Sequence, residues 1–268
     1  MDIVDEDSAK SQRAIQSVEV GGRLLLVLAA HTGPMSLKDL ATRAGLPPSR
    51  AHPYLVSYGR LGLVSQDAST GRYALGPAAL QLGLTALRQC EPVAVADPVV
   101  EALAASTGQA VAVAVWGNFG PTITRMIDAR QPLHVAMRAG TVMSMFGTAT
   151  GRAYAGVQRR ERIEDALNSA ALGDVRSQAP SRNTEFEASL KAARDEVTAH
   201  GLARAVGRPI PGVNAFSAPV FDYAGEPVLV ITALGHQDHV SSAWSSPMAQ
   251  ALKEAAATIS ARLGRQPG

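Results

Sequence analysis

Covalent chemistry needs a nucleophile beside a base, and this sequence offers Cys90 and Thr148 as nucleophiles with six histidines among which to seek the base. Nothing around them has the pattern of a known catalytic motif. There is no Gly-x-Ser-x-Gly elbow, no His-Glu-x-x-His pair and no dinucleotide-type glycine run. His236 and His239 stand three apart without a convincing third metal ligand. A small-molecule-transforming enzyme using Thr148 or Cys90 is therefore the alternative reading, and no cofactor is implied. Two other groups of residues suggest binding. Small and hydroxyl residues from Gly147 to Gly151 (Gly147, Thr148, Ala149, Thr150, Gly151) precede a helical stretch, where free backbone N–H groups, the hydroxyls and the helix dipole can receive a carboxylate. The loop lacks the Gly-Lys-Ser/Thr ending of a nucleotide P-loop. The second group, Ser49, Arg50, His52, Tyr54, Ser57 and Arg60, lies in one short helical stretch and can donate to phosphate oxygens and base edges, Arg50 being the best bidentate partner for guanine.

The elements that must position these residues read in a definite order. Ile15, Val18, Leu24, Leu25 and Leu28 recur at helical spacing between Ser11 and His31, and Gly33-Pro34 ends the pattern. Ser36 followed by Asp39 resembles a capping box opening a short second helix that closes at Gly45. Pro47-Pro48-Ser49 opens a third helix ending at Gly62. Two helices joined by a tight glycine-containing turn make a helix-turn-helix candidate, with Lys38 on its first helix. LVSQ and RYAL around Asp67–Gly71 predict a hairpin that would serve as a wing carrying Arg72. Pro77 then starts an amphipathic linker helix reaching Cys90. The predicted organisation is a winged helix-turn-helix over residues 11–76, a linker helix over 77–90 and a larger domain over 91–268. In that domain QAVAVAVWG, TITRMIDAR, LHVAM, AFSAPVFD and PVLVITALG read as strands, and helical patterns fall at GRAYAG, 160–170, 185–200 and 246–262. Strands in adjacent hairpins with flanking helices predict an α+β arrangement on an antiparallel sheet rather than a Rossmann alternation.

Composition narrows the function classes. The longest apolar runs, such as LLLVLAA from Leu24, fall well short of the roughly 18 residues that span a bilayer, so no membrane partner is expected. The acidic N-terminus does not read as a signal peptide, and a single cysteine excludes an intrachain disulfide framework; both fit a cytoplasmic protein. The net charge of +2 is segregated: residues 11–90 hold eight Lys/Arg against three acids, whereas residues 91–268 hold sixteen of each. A local excess of that size attracts phosphates in a salt-sensitive way.

SVEVGGRLLLVLAA, SLKDLATRAGLPPSRAHPYL and GLVSQDASTGRYALGPAALQLG resemble the head of the IclR family of transcription regulators in order and spacing, over about 80 residues. The resemblance implies major-groove reading of a double-stranded DNA operator, a homodimer or tetramer, and a linker helix coupling the head to a GAF-like effector domain. One departure stands out. The family usually places a basic residue after the helix histidine, whereas His52 is followed here by Pro53. An internal proline removes a hydrogen bond and crowds the preceding turn, which predicts a kink or a late-starting helix.

In the larger domain, MSMFGTATGRAYAG resembles the family's effector loop, and GVNAFSAPVFDYAGEPVLVITALG resembles the strand pair closing its pocket. By position in those motifs Asn214, Ala215, Ser217 and Thr232 are pocket candidates, though alternate strand faces allow only some to point inward. Ala215 stands where some members carry cysteine and Leu234 where some carry serine, so a pyruvate-type or glyoxylate-type ligand set is not preserved. A bulkier or more apolar effector, such as an aromatic acid, fits better. Trp116, Met126, Met143, Met145 and Phe146 are candidates to pack against it, and Arg125, Arg138 and Arg208 to pair with its carboxylate.

Overall fold

A computed structural model describes residues 15–89, 91–130, 133, 135, 137–169 and 183–266. The chain divides into two compact units, with the break after Gln89. Cys90, the predicted start of the first helix at 11–14 and the acidic tail lie outside the described residues.

The first unit is built from α1 (Gln16–Ala29), α2 (Leu37–Arg43), α3 (Pro48–Arg60), β1 (Val64–Gln66), β2 (Tyr73–Leu75) and α4 (Pro77–Gln89). Its core is one face of each of the first three helices: Leu24, Leu40, Ala41, Ala51 and Leu55 are all buried. Ser36 caps α2, its hydroxyl accepting from the Asp39 N–H at 3.2 Å and donating to the Asp39 carboxylate at 2.7 Å. Gly45, at φ +69°, ends α2 in the left-handed region that glycine adopts without strain, and the Leu46 N–H returns to the Ala41 carbonyl. β1 and β2 pair antiparallel, and Met35 exchanges two 2.8 Å backbone bonds with Tyr73, which ties the hairpin to the start of α2. At the hairpin tip Asp67 accepts from the N–H and hydroxyl groups of both Ser69 and Thr70, and these bonds pull its pKa down to about 2.

The late-starting helix expected at Pro53 is not found: α3 runs from Pro48 to Arg60 with Pro53 inside it. Pro53 stands on the exposed side of the helix, so the Ser49 carbonyl left without its helical partner meets solvent rather than the core.

The second unit comprises α5 (Pro92–Thr107), β3 (Ala110–Gly117), β4 (Gly120–Ile127), α6 (Ala149–Val157), α7 (Arg160–Asn168), α8 (Asn183–His200), β5 (Ala203–Val206), β6 (Val213–Phe221), β7 (Pro227–His236) and α9 (Pro247–Arg262). All strand pairs are antiparallel, in the order β4-β3-β7-β6-β5. The strand expected at LHVAM is not found: its described residues, Leu133, Val135 and Met137, belong to no strand. The four-residue β5, which sequence reading missed, supplies the edge instead.

Side-chain alternation gives the sheet two different faces. Val111, Val113, Phe216, Ala218, Ile231 and Ala233 pack with α5 and α9 in the main core. On the other face the small side chains of Ala112 and Ala114 let α6 settle close, with Tyr154 buried and its hydroxyl donating to the Ala114 carbonyl at 3.0 Å. Close approach continues on the outside of α6, where a Cβ on Gly156 would come within 2.5 Å of Val197 on α8.

Candidate nucleic-acid interface and ligand pocket

α3 has one stripe in the core and the rest outward. Ser49, Arg50, His52, Ser57 and Arg60 are exposed. The Ser57 hydroxyl donates back to the Pro53 carbonyl at 3.0 Å, so its proton is already used within the helix. Tyr54 shares the phase of the core residues Ala51, Leu55 and Tyr58 and is half-buried against the head core. A Cβ on Gly21 of α1 would lie 3.0 Å from the Tyr54 ring and 2.0 Å from the Tyr58 hydroxyl, so that glycine is what lets α1 and α3 meet. Tyr54 is thus partly buried in the head, on the apolar side of α3. Lys38 and Arg72 come together around a surface hollow of about 390 Å³, joined there by His31 and by Arg43, which sequence reading had not singled out.

In the second unit a small cavity of about 40 Å³ lies between the start of α6 and the sheet. Ala205, Val213 and Ala215 form its floor with Thr232 and Leu234. Thr148, Ala149 and Thr150 form one wall; Met137, Met143 and the segment Arg208-Pro209-Ile210 close it. Among the predicted effector residues the structure thus brings together Met143, Thr148, Ala149, Thr150, Ala215 and Thr232, and Arg208 among the predicted carboxylate partners. Ser217 sits one hydrogen bond behind, in a buried hydroxyl chain running Ser217–Thr232 (2.8 Å) and Thr232–Thr150 (2.9 Å).

The helix that faces this cavity begins in an ordinary way. Thr148 is the N-cap of α6: its hydroxyl accepts from the Gly151 N–H at 3.0 Å and donates to the Ser144 carbonyl at 2.8 Å. By helix geometry the N–H groups of Ala149 and Thr150 have no acceptor in their own helix. Arg208 is exposed at the rim, and no ion pair or hydrogen bond engages its guanidinium among the described residues.

Other predicted residues do not line the cavity. Asn214 faces the opposite side of β6, where its amide donates to the Val240 carbonyl at 2.7 Å and its oxygen accepts from the Gly207 N–H at 3.3 Å. Gly151 is a packing residue, since a Cβ there would lie 2.0 Å from the Ser144 carbonyl oxygen; Gly147 donates its N–H to the Ser144 hydroxyl at 3.1 Å. Trp116 packs edge-on to Tyr154, and Phe146 edge-on to Phe186. Met145 is buried in that second cluster, and Met126 packs beside the cavity without lining it. Arg125 pairs with Asp97 and with Glu101 on α5, and Arg138 is exposed away from the cavity.

Sequence reading missed Met137, Ala205, Pro209, Ile210 and Val213 as lining residues. It also missed Arg152, whose guanidinium binds Glu196 at 2.9 Å, the Phe146 carbonyl at 3.2 Å and the Arg204 carbonyl. That arginine fastens the loop before α6 to β5. His236 and Asp238 approach at 3.3 Å and the His236 and His239 rings are 6.2 Å apart, without a third ligand among the described residues.

A winged helix-turn-helix head with an exposed polar recognition helix, joined in one chain to a second unit with a pocket beneath a helix N-terminus, defines a class: a DNA-binding regulator with a larger second domain. Family comparison agrees. Residues 17–68 match the IclR helix-turn-helix domain and residues 84–261 match the bacterial transcriptional regulator IclR C-terminal domain, so the chain belongs to the IclR family of DNA-binding transcription regulators. It is similar to a glycerol operon regulatory protein of Streptomyces coelicolor, 30% identical over 83% of this chain and 85% of that protein. It is also similar to the HTH-type transcriptional regulator BhcR of Paracoccus denitrificans, 24% identical over 94% and 88%. Among solved structures, Pseudomonas aeruginosa HmgR superposes with a TM-score of 0.84 at 30% identity, covering 95% of this chain and 100% of that one. The Agobacterium tumefaciens repressor BlcR shares the fold at a TM-score of 0.75 and 19% identity, over 95% and 99%. No helix among the described residues is long and apolar enough to cross a membrane.

Proposed function

We propose that this regulator changes its affinity for a double-stranded operator when a small organic acid with an apolar body enters the pocket beneath α6. The observation that carries the reading is the meeting of an apolar cavity with two kinds of unspent donor: the first N–H groups of α6 and the free guanidinium of Arg208. Both favour a carboxylate. Met137, Met143, Ile210 and Leu234 supply the surroundings an aromatic or branched body prefers.

At about 40 Å³ the cavity is far below the roughly 300 Å³ at the lower end of ligand sites. A ligand must therefore displace Met137, Met143 or the 208–210 segment. The open and closed forms then differ in ligand affinity, which is the condition for a ligand to shift an equilibrium. In the head, Ser49, Arg50 and His52 address base edges, while Lys38, Arg43 and Arg72 around the hollow hold phosphates. The expected association of heads is supported by a solvent-facing stripe along α1 and its N-cap, with Ile15, Val18 and Leu26 65–70% exposed, and by exposed Leu80 and Leu84 one turn apart on α4. A homodimer or tetramer in the cytoplasm is the form we expect. The protein is a binder and not an enzyme in this reading, because the Thr148 hydroxyl is engaged on both sides in capping α6 and no histidine among the described residues lines the cavity.

A thermal-shift screen of organic acids with the full chain tests the ligand class, since a ligand bound only by the folded form raises the melting temperature. Aromatic monocarboxylates should raise it in a saturable way and the corresponding amides should not. Equal shifts from acid and amide would remove the carboxylate site.

A further inference from the structure

α3 carries an outward feature that its role as a phosphate-binding and base-donating helix leaves unused. Helix periodicity places Ser49, Pro53, Val56 and Arg60 on one stripe, opposite the buried Ala51 and Leu55. Its two central members are apolar. Pro53 is exposed and Val56 is 41% exposed, with no core packing to explain them. Around them the surface is polar and basic: Ser49 precedes them, Arg60 follows, and Arg50 and His52 stand on the flanks. Ser57, the neighbouring neutral donor, spends its proton on the Pro53 carbonyl.

We propose that Pro53 and Val56 form an apolar ridge that reads the C5-methyl groups of thymine in the major groove, so that the operator carries T·A pairs beneath this ridge. The inference rests on the reading of α3 as the recognition helix. The flanking charge selects the occupant, because Arg50, His52 and Arg60 are complementary to a phosphate-lined groove and not to an apolar protein surface. Within that groove thymine alone presents a methyl group, whereas a G·C pair presents N4 donors and N7 and O6 acceptors that an apolar ridge would strip of water and leave unpaired. The residues are three apart, about 4.5 Å along the helix axis, close to one base-pair rise of about 3.4 Å, so they address adjacent or next-adjacent pairs.

The test starts from duplexes selected out of a random library by the full chain. On the selected site each thymine is replaced in turn by deoxyuridine, which lacks only the methyl group, and affinity is read by fluorescence anisotropy. One or two positions per half-site should lose about fourfold each, the value of one buried methyl. With Val56→Ala the thymine-to-deoxyuridine ratio at one of those positions should fall to near one, while the dependence on salt is unchanged; Pro53→Ala should do the same at the other. Melting temperatures of both variants confirm that they fold, and Pro53→Ala restores a helical N–H. The proposal is overturned if every deoxyuridine duplex binds within twofold of its parent, or if Val56→Ala weakens thymine and deoxyuridine duplexes equally. If no site is selected and all duplexes bind alike, α3 is not a sequence reader at all, and the broader reading falls with the narrower one.

Discussion

The head and the larger unit carry function in opposite ways. In the head the working side chains point outward from a small core, so Arg50, His52, Val56 and Arg60 can change without disturbing Leu24, Leu40 or Leu55. In the larger unit the pocket is made of the packing itself: Thr150, Thr232 and Ser217 are buried, Gly151 holds the loop against the helix, and Arg208 is exposed at the rim. Recognition and stability are separable in the first unit and entangled in the second. A ligand that must open a nearly filled cavity acts on that entanglement, which is why this unit suits a switch and the head suits a reader.

Substitutions should separate the two units in the same way. The largest effect is expected at Gly151, where a Cβ would meet the Ser144 and Met145 carbonyls at 2.0 and 2.4 Å. These are backbone atoms, so Gly151→Ala should cost about 3 kcal/mol or more and lower the melting temperature of the larger unit, read by calorimetry. An unchanged melting temperature would mean the loop is slack. Arg50→Ala should leave the melting temperature alone and weaken DNA binding by about 1–3 kcal/mol, with loss of preference at one base pair; a uniform loss on every sequence would make Arg50 a phosphate contact. Arg208→Ala should likewise leave stability within about 0.5 kcal/mol while lowering acid affinity by about 1.5–3 kcal/mol. A normal thermal shift with acid would move the carboxylate elsewhere. The smallest effect concerns the wing. The Asp67 carboxyl titrates near 2 when folded, below its ordinary range near 4, so its stabilising contribution is complete above about pH 4 and is lost as the pH falls through 2. NMR shifts of Ser69 and Thr70 should therefore hold from pH 7 to 4 and move near pH 2; movement centred at 4 would show that the four hydrogen bonds to Asp67 are not kept in solution.

The head was the more legible half in the sequence, and for the same reason. Caps and turn glycines act locally: Ser36 with Asp39, Gly45 and Gly62 fixed the helix ends whatever surrounded them. The late start expected at Pro53 failed, because the cost of an internal proline depends on which side of α3 the orphaned Ser49 carbonyl faces, and on the exposed side water can take that carbonyl. In the larger unit the motif around 213–236 located β6 and β7, but a one-residue change of position along a strand exchanges its faces, which is how Asn214 was grouped with Ala215. Met137, Pro209 and Ile210 reach the pocket from irregular segments whose course depends on long-range packing, and no local pattern announces them. Gly147 and Gly151 had the composition of an anion loop but are held there by close contacts with Ser144.

Filling the pocket should change the reader. The direct measurement is the affinity of the full chain for a promoter duplex and for a scrambled duplex, at fixed salt, with and without an acid that raises its melting temperature. Binding should be tighter to the promoter duplex, change by about fivefold or more on adding the acid, and lose that change in Arg208→Ala. Stabilisation by the acid with promoter affinity unmoved would contradict this expectation.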